Sequence, residues 1–389
     1  MDIINKKQRG KTNVTTKQLS NIAIISLLQF LLLFISFTSY AQSVSIGTTN
    51  SLLKFASNKV FAEDAQEHVH PLKLKELNRE DTSAGSVPKI ALPKVVIAIT
   101  EIVKHSSLIQ AKLGLIDELK NNGFIVGENL KIIEQDAQGN VGIATQIAKK
   151  FVSLKPDAIV AISTPSAQTV VNAAKDSKIP VIISSVTDPV AAGIVKDITV
   201  AQENITGAID APAIKEEIEL IKAIMPNIKN LGLLYNSGEA NSVKTIEMIT
   251  KEAAASGIAI VKSVATSSNQ VPQSMLNLIG KVDAIYIPSD NTIFSSMAKL
   301  VQISRDNNLP VFSSDPDSVK QGVLACVGYT QYAVGRAAGK LLVQVLHGQK
   351  LLKIVKPEKI EIFMNTITAG KIGIKVQSVL IGKEVNLIK

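Results

Sequence analysis

The sequence predicts an α/β protein of two similar lobes, each a doubly wound parallel sheet. Three observations point there. From Lys94 onward, apolar strand-length runs alternate with helix-length segments, as right-handed βαβ units require. One such unit is written twice. Asp157-Ala-Ile-Val-Ala-Ile-Ser163 leads to Ile179-Pro-Val-Ile-Ile-Ser-Ser185, Asp188-Pro189 and Gly193, while Asp283-Ala-Ile-Tyr-Ile-Pro-Ser289 leads to Leu309-Pro-Val-Phe-Ser-Ser314, Asp315-Pro316 and Gly322. The chain is also 46% apolar but only 4% aromatic, and the Ile, Val, Ala and Leu that dominate suit strands covered on both faces. Open parallel sheets bind ligands beyond the C-terminal ends of their strands, so two facing sheets predict a ligand cleft between the lobes.

The elements follow in order. Val95–Ile99 reads as a buried strand, and Ile109, Leu113, Ile116 and Leu119 as one face of a helix that stops near Gly123. Strands are expected at Leu130–Ile133, Ala158–Ile162 and Val181–Ile183, with helices at Val141–Phe151 and about Ala167–Ala174. Ile214, Ile218, Ile221 and Met225 form a helical stripe ended by Pro226. Strands at Leu231–Leu234, Ile258–Val261, Ala284–Ile287, Val311–Phe312 and Leu324–Cys326 follow, then a helix at Val334–Leu346 ending at Gly348. Crossings between lobes are expected at Asn204–Ala211, near Gly328 and near Pro357. The lobes are thus residues 93–209 with 327–355, and 210–326 with 356–389.

Ahead of them lies an address. Basic residues 6–17 precede an apolar run, Ile22–Phe37, and Ser39-Tyr-Ala41, which together read as an export signal cut after Ala41. At about 16 residues the run is short for a membrane span, though an uncleaved anchor is the rival reading. Either way the folded part is expected outside the cytoplasm, periplasmic or, if the segment is uncleaved, on the outer face of the cytoplasmic membrane. Residues 42–92 are polar and aperiodic and read as a linker, with His68 and His70 solvated there.

Residues 1–41 hold five of the 42 basic residues and one of the 33 acids, leaving +5 of the net +9 on the rest. That mild, dispersed charge has no arginine cluster and argues against nucleic acid. The single cysteine, Cys326, allows no intramolecular disulfide and reads as a buried thiol. No Gly-x-Ser-x-Gly, His-Glu-x-x-His, Walker loop or Gly-x-Gly-x-x-Gly occurs, so no enzyme, metal site or cofactor is expected.

Five segments at strand ends, in order over Lys94–Gly370, carry a resemblance. They are Thr164-Pro-Ser-Ala-Gln168, Val186-Thr-Asp-Pro189, Leu234-Tyr-Asn-Ser-Gly-Glu-Ala-Asn-Ser242, Val282-Asp-Ala-Ile-Tyr-Ile-Pro-Ser-Asp-Asn-Thr292 and Ser314-Asp315. Together they resemble the substrate-binding proteins of ABC transporters of the tryptophan/tyrosine-importer type. That resemblance implies the periplasmic binding protein fold, an amino-acid ligand (often aromatic) and delivery to a membrane permease. Many relatives carry an N-terminal lipid-bearing cysteine; this chain has none.

The same segments supply candidate ligand groups. Backbone amides at Thr164, Ser166 and Ala167, with the Ser166 hydroxyl, open a helix and suit a carboxylate, with Ser166 capping its own helix as the competing reading. An ammonium group needs an acid, and Asp188, Glu239, Asp290 and Asp315 each follow a strand, where turn and cap roles compete. Asn236, Asn241 and Asn291 are amide candidates or N-caps, and His105 follows the first strand. Tyr235, Tyr286, Tyr329 and Phe294 are candidates for stacking or core packing. The expected protein is a monomer that closes its lobes on a small zwitterion and hands it to a permease. Rival readings are a membrane-tethered ligand-sensing receptor domain and a binder of sugar or another small solute.

Overall fold

The computed structural model describes residues 94–202, 204–350, 352–374 and 384–389. The expected export signal and the linker at 42–92 lie outside them. The chain begins with β1 (Val95–Glu101), α1 (Ser106–Asn121), β2 (Leu130–Asp136), α2 (Val141–Leu154), β3 (Ala158–Ile162), α3 (Thr164–Ala174), β4 (Val181–Val186) and β5 (Ile205–Ile209). After a first crossing come α4 (Ile214–Ile224), β6 (Asn230–Tyr235), α5 (Ala240–Ala255), β7 (Ala259–Val264), α6 (Val271–Leu276), β8 (Ala284–Ile287), α7 (Asn291–Phe294), α8 (Met297–Asp306), β9 (Val311–Ser313), α9 (Pro316–Lys320) and β10 (Ala325–Gly328). The chain then crosses back for α10 (Gln331–Leu346) and β11 (Ile354–Val355), and returns for β12 (Glu361–Asn365), α11 (Thr366–Lys371) and β13 (Val385–Ile388).

Two sheets result, ordered β11-β5-β4-β3-β1-β2 and β13-β12-β10-β9-β8-β6-β7. The two-lobed α/β architecture is therefore as expected. Every pairing is parallel except β10 with β12, which meet antiparallel because β12 enters the second sheet from the opposite end. The boundary expected after Cys326 falls inside β10, where Val327 and Gly328 still pair with Ile362 and Glu361. Both sheets are covered on both faces. In β8, Ala284 and Tyr286 point into one apolar layer and Ile285 and Ile287 into the other. Cys326 is buried there, and desolvation pushes its thiol well above the ordinary range.

The first helix departs from its expected face. Ile109 and Leu113 are 38% and 44% exposed, while Ala111, Gly114, Leu115 and Leu119 are buried. The reason is a seam of glycines against α10. A methyl group on Gly114 would sit 2.1 Å from the Tyr332 carbonyl oxygen, and one on Gly335 would sit 1.8 Å from that of Ala111. Backbone meets backbone there, so Gly114 and Ala111 face the partner helix and Ile109 and Leu113 turn out, while Leu119 of the expected face stays buried.

Tyr286 is wholly buried and donates its hydroxyl to Glu217 of α4, itself buried. Desolvation pushes the Glu217 carboxyl up to about 8, with the nearby Asp210 and Glu216 charges adding to it and the Tyr286 bond opposing it. Its folded-state pKa lies above its unfolded value of 4.5, so the stability it contributes is complete below that value and is lost as pH rises towards 8. Glu217→Gln keeps an acceptor for Tyr286 and removes the proton. The melting temperature of the wild type should fall from pH 5 to pH 8.5 more steeply than that of the variant. Equal slopes would show that Glu217 is not neutral in the fold.

Candidate ligand cleft

The strands of each sheet end facing the other lobe, and their terminal backbone is bent to present short polar side chains. Ser163 after β3 and Ser185 in β4 adopt left-handed φ values of 89° and 56°, and the β4–β5 register shifts between Ile183 and Val186. Gly207 of β5, at φ 143°, makes room, because a Cβ there would lie 1.9 Å from the Ile183 carbonyl oxygen.

A tight cavity of about 20 Å³ lies where these ends converge. The first lobe lines it with His105, Ser107 and Leu108 at the start of α1, with Thr164 at the start of α3, and with Ser185 and Thr187. The second lobe adds Asn241, Ser289, Asn291 and Phe294, and the crossings add Asp210 and Gln331. A wider space of about 460 Å³ adjoins it, shares Asn291, and runs between Pro165 and Gln168 of one lobe and Asn236 and Glu239 of the other. Another depression of about 360 Å³, by Lys175, Asn204 and Gln349, lies at the starts of β4 and β5, the wrong end of the sheet for a ligand.

Among the described residues, the cavity is lined by one carboxylate and no lysine or arginine. Asp210 follows β5, and complete desolvation pushes it up to about 6, while hydrogen bonds from Gln331 and Ser289 hold it down. Both bonds reach Oδ2, at 2.7 Å from Gln331 Nε2 and 3.3 Å from Ser289 Oγ. Among the described residues no donor meets Oδ1. Burial lowers His105 to about 4, so the ring is neutral at pH 7. Asn291 donates its amide nitrogen to Glu239 at 2.6 Å, which leaves its Oδ1 to accept from His105 Nε2 at 3.3 Å. That fixes the tautomer with Nδ1 bare, and Nδ1 is buried without a partner among the described residues. Phe294 meets the His105 ring edge-on, with centroids 5.6 Å apart.

Of the residues singled out from sequence, His105, Thr164, Asn241 and Asn291 line this cavity. Ser166 and Ala167 are buried in the first turn of α3, where Ser166 accepts from Ser163 and the Ala167 amide closes on the Ser163 carbonyl. Asn236 binds Gly238 and Thr292. The four acids nominated for an ammonium group are bound to the protein's own donors. Asp188 caps its turn through the amides of Val190 and Ala191. Glu239 accepts from the amides and side chains of Asn291 and Thr292, which secures the start of α7. Asp290 accepts from the Asn236 amide, Ser242 and the Ile293 amide. Asp315 caps α9 through the Ser318 amide and accepts from Ser107 of the other lobe at 2.7 Å. Tyr235, Tyr286 and Tyr329 pack in or against the cores, and Phe294 alone of the aromatic candidates reaches the cavity.

Asp210, Gln331, Ser185, Thr187, Ser289, Ser107 and Leu108 were not anticipated. Asp210 and Gln331 sit on crossing segments that sequence reading treats as connectors. Their signal is a polar residue immediately beyond a strand or opening a helix at a lobe crossing.

The lobes touch directly through Ser107 with Asp315, His105 with Asn291, and Gln321 with Ser106 at 2.6 Å. Two sheets joined by three crossings and closed over a polar cavity define a solute-binding protein of the periplasmic type. The chain belongs to the ABC transporter substrate-binding protein family, whose model matches residues 96–385. It is the substrate-binding component of such a transporter. It is 38% identical over 274 residues to a tyrosine-binding protein of Clostridioides difficile, covering 70% of this chain and 79% of that protein. A Streptococcus pneumoniae domain in complex with L-Trp is 32% identical, with a TM-score of 0.72 over 76% of this chain and 100% of that one. The ligand-free, open form of a Clostridium difficile substrate-binding protein with adhesive properties is 34% identical over 76% of this chain and 99% of that one, with a TM-score of 0.57. The better superposition on the ligand-bound structure accords with the direct lobe-to-lobe bonds.

Proposed function

We propose that the chain captures an α-amino acid, aromatic by preference, between its lobes, without catalysis, and delivers it to an ABC permease. One observation carries this reading: a cavity whose sole charge is a carboxylate with a free oxygen, set against the opening of a helix. Asp210 Oδ1 accepts the ligand ammonium, and the bare Nδ1 of His105 is a further acceptor. The start of α3, with the Thr164, Ser185 and Thr187 hydroxyls, takes the carboxylate, favoured by the helix dipole and unmet amides. Phe294 and Leu108 flank the side chain. A tyrosine-binding relative and an L-Trp-bound one support the aromatic preference.

Closure about the three crossings excludes water and strengthens each polar contact. In this reading the N-terminal segment exports the protein, which works as a monomer outside the cytoplasm and binds no nucleic acid. A sugar site is less favoured, since only Phe294 offers an aromatic carbon face to stack on a pyranose.

Mass spectrometry of small molecules released by denaturing the purified protein, followed by calorimetric titration with the twenty amino acids, tests the reading. Tyrosine, tryptophan or phenylalanine should be released, and should bind with a Kd far below that of glycine or alanine. Binding of an uncharged polyol and of no amino acid would overturn it.

A further inference from the structure

The reading above makes Asp210 the ammonium acceptor but leaves open what aims it. We propose that Gln331 is the positioning residue of this site, holding the Asp210 carboxylate so that Oδ1 faces the ligand and tying it to the backbone of two lobe crossings. Gln331 is buried, only 3% exposed, and opens α10 directly after the second crossing, while Asp210 opens the first. Its Nε2 donates to Asp210 Oδ2 at 2.7 Å, and its Oε1 accepts from Ser185 Oγ at 2.7 Å.

The chemistry of the two neighbours fixes the amide. A carboxylate can only accept, so the NH₂ end must face Asp210 and the oxygen end must face the hydroxyl. Ser185 reaches that oxygen from a left-handed backbone that few non-glycine residues adopt. Helix α10 is in turn locked to α1 through Gly335 and Gly339, so the amide is mounted on a rigid face of the first lobe. From the second lobe, Ser289 bonds the same Oδ2, and its hydroxyl lies 2.9 Å from that of Ser314. Oδ2 is therefore shared by both lobes in the closed arrangement, and Oδ1 is left for the guest.

The groups that face Asp210 are few. His105 is neutral at pH 7, and Glu217 of α4 stays protonated to about 8. Tyr329, just beyond β10, keeps its proton, since burial and the Asp210 charge raise its pKa. Asp315 is the confounding neighbour, because its carboxyl titrates near 7 under desolvation and the Asp317 charge. A test must therefore read Asp210 by itself.

The test compares wild type, Gln331→Leu and Ser185→Ala. The Asp210 carboxyl is followed from pH 4.5 to 8.5 by site-assigned ¹³C NMR without ligand, and L-tyrosine is titrated calorimetrically over the same range. Removing the Nε2 donor should move the Asp210 midpoint upward in Gln331→Leu. Affinity, which needs the ionised carboxylate, should then fall at a higher pH than in wild type, with a loss of about twofold to tenfold at pH 7. Ser185→Ala should shift both in the same direction by less. An unmoved Asp210 midpoint, or a loss of affinity equal at every pH, overturns the positioning role. A midpoint that moves in a protein whose wild type binds no amino acid overturns instead the reading of the cavity as an amino-acid site.

Discussion

Asp210→Asn is expected to lower affinity for an aromatic amino acid by roughly 30-fold to several-thousand-fold at pH 7.5, the cost of removing one partner of a buried charge pair. The variant keeps the shape of the side chain and an oxygen that accepts from Gln331 and Ser289, so the fold should survive. Without ligand the variant should melt no lower than wild type, because a buried carboxylate held near 6 by desolvation is unfavourable to ionise. Lower affinity with unchanged or raised melting temperature separates a binding role from a structural one. A loss below tenfold on titration would move the ammonium elsewhere in the cleft.

Gly335→Ala should destabilise the protein by about 1–3 kcal/mol or more, the usual range for an overfilled contact. In an open helix the same change stabilises by about 0.5–1 kcal/mol, so the sign is diagnostic. Here the added methyl would lie 1.8 Å from the Ala111 carbonyl oxygen, a backbone atom that cannot swing away as a side chain can. Gly370→Ala in α11 is the control, since nothing lies within 4 Å of its Cβ position. Urea unfolding should move its midpoint up or leave it in place, and move that of Gly335→Ala down. Equal effects at the two positions would remove the seam as the reason for the orientation of α1.

Strand positions and the double-layered plan were legible because fully buried parallel strands are continuous apolar runs. Ala158–Ile162 and Ala284–Ile287 fall where the sequence places them. The inward face of α1 was not legible. Ile109 and Leu113 follow helical spacing as faithfully as any core stripe, and only the partner helix, far along the chain, shows that glycine and alanine face it.

The site was half visible for a related reason. A residue just past a strand end faces the cleft or binds its own loop according to which backbone amides lie nearby. Asp188, Asp290 and Asp315 each stand ahead of free amides, of a turn in one case and of helices in the others, and bind them. Asp210 precedes Ala211-Pro212-Ala213, and its hydrogen bonds come from Gln331 and Ser289, distant in sequence. No local pattern separates the two outcomes.

The glycine seam also dictates when the first lobe can exist. Its sheet is complete only once β11 has paired with β5, and α1 has its partner only once α10 is present, yet both are made after nearly the whole second lobe. During synthesis the early strands must wait with α1 bare on the side that α10 will cover. The first lobe therefore cannot complete its packing before most of the second lobe has been made. The first lobe stays incomplete until the last sixth of the chain is available, and that long-range closure is expected to be slow.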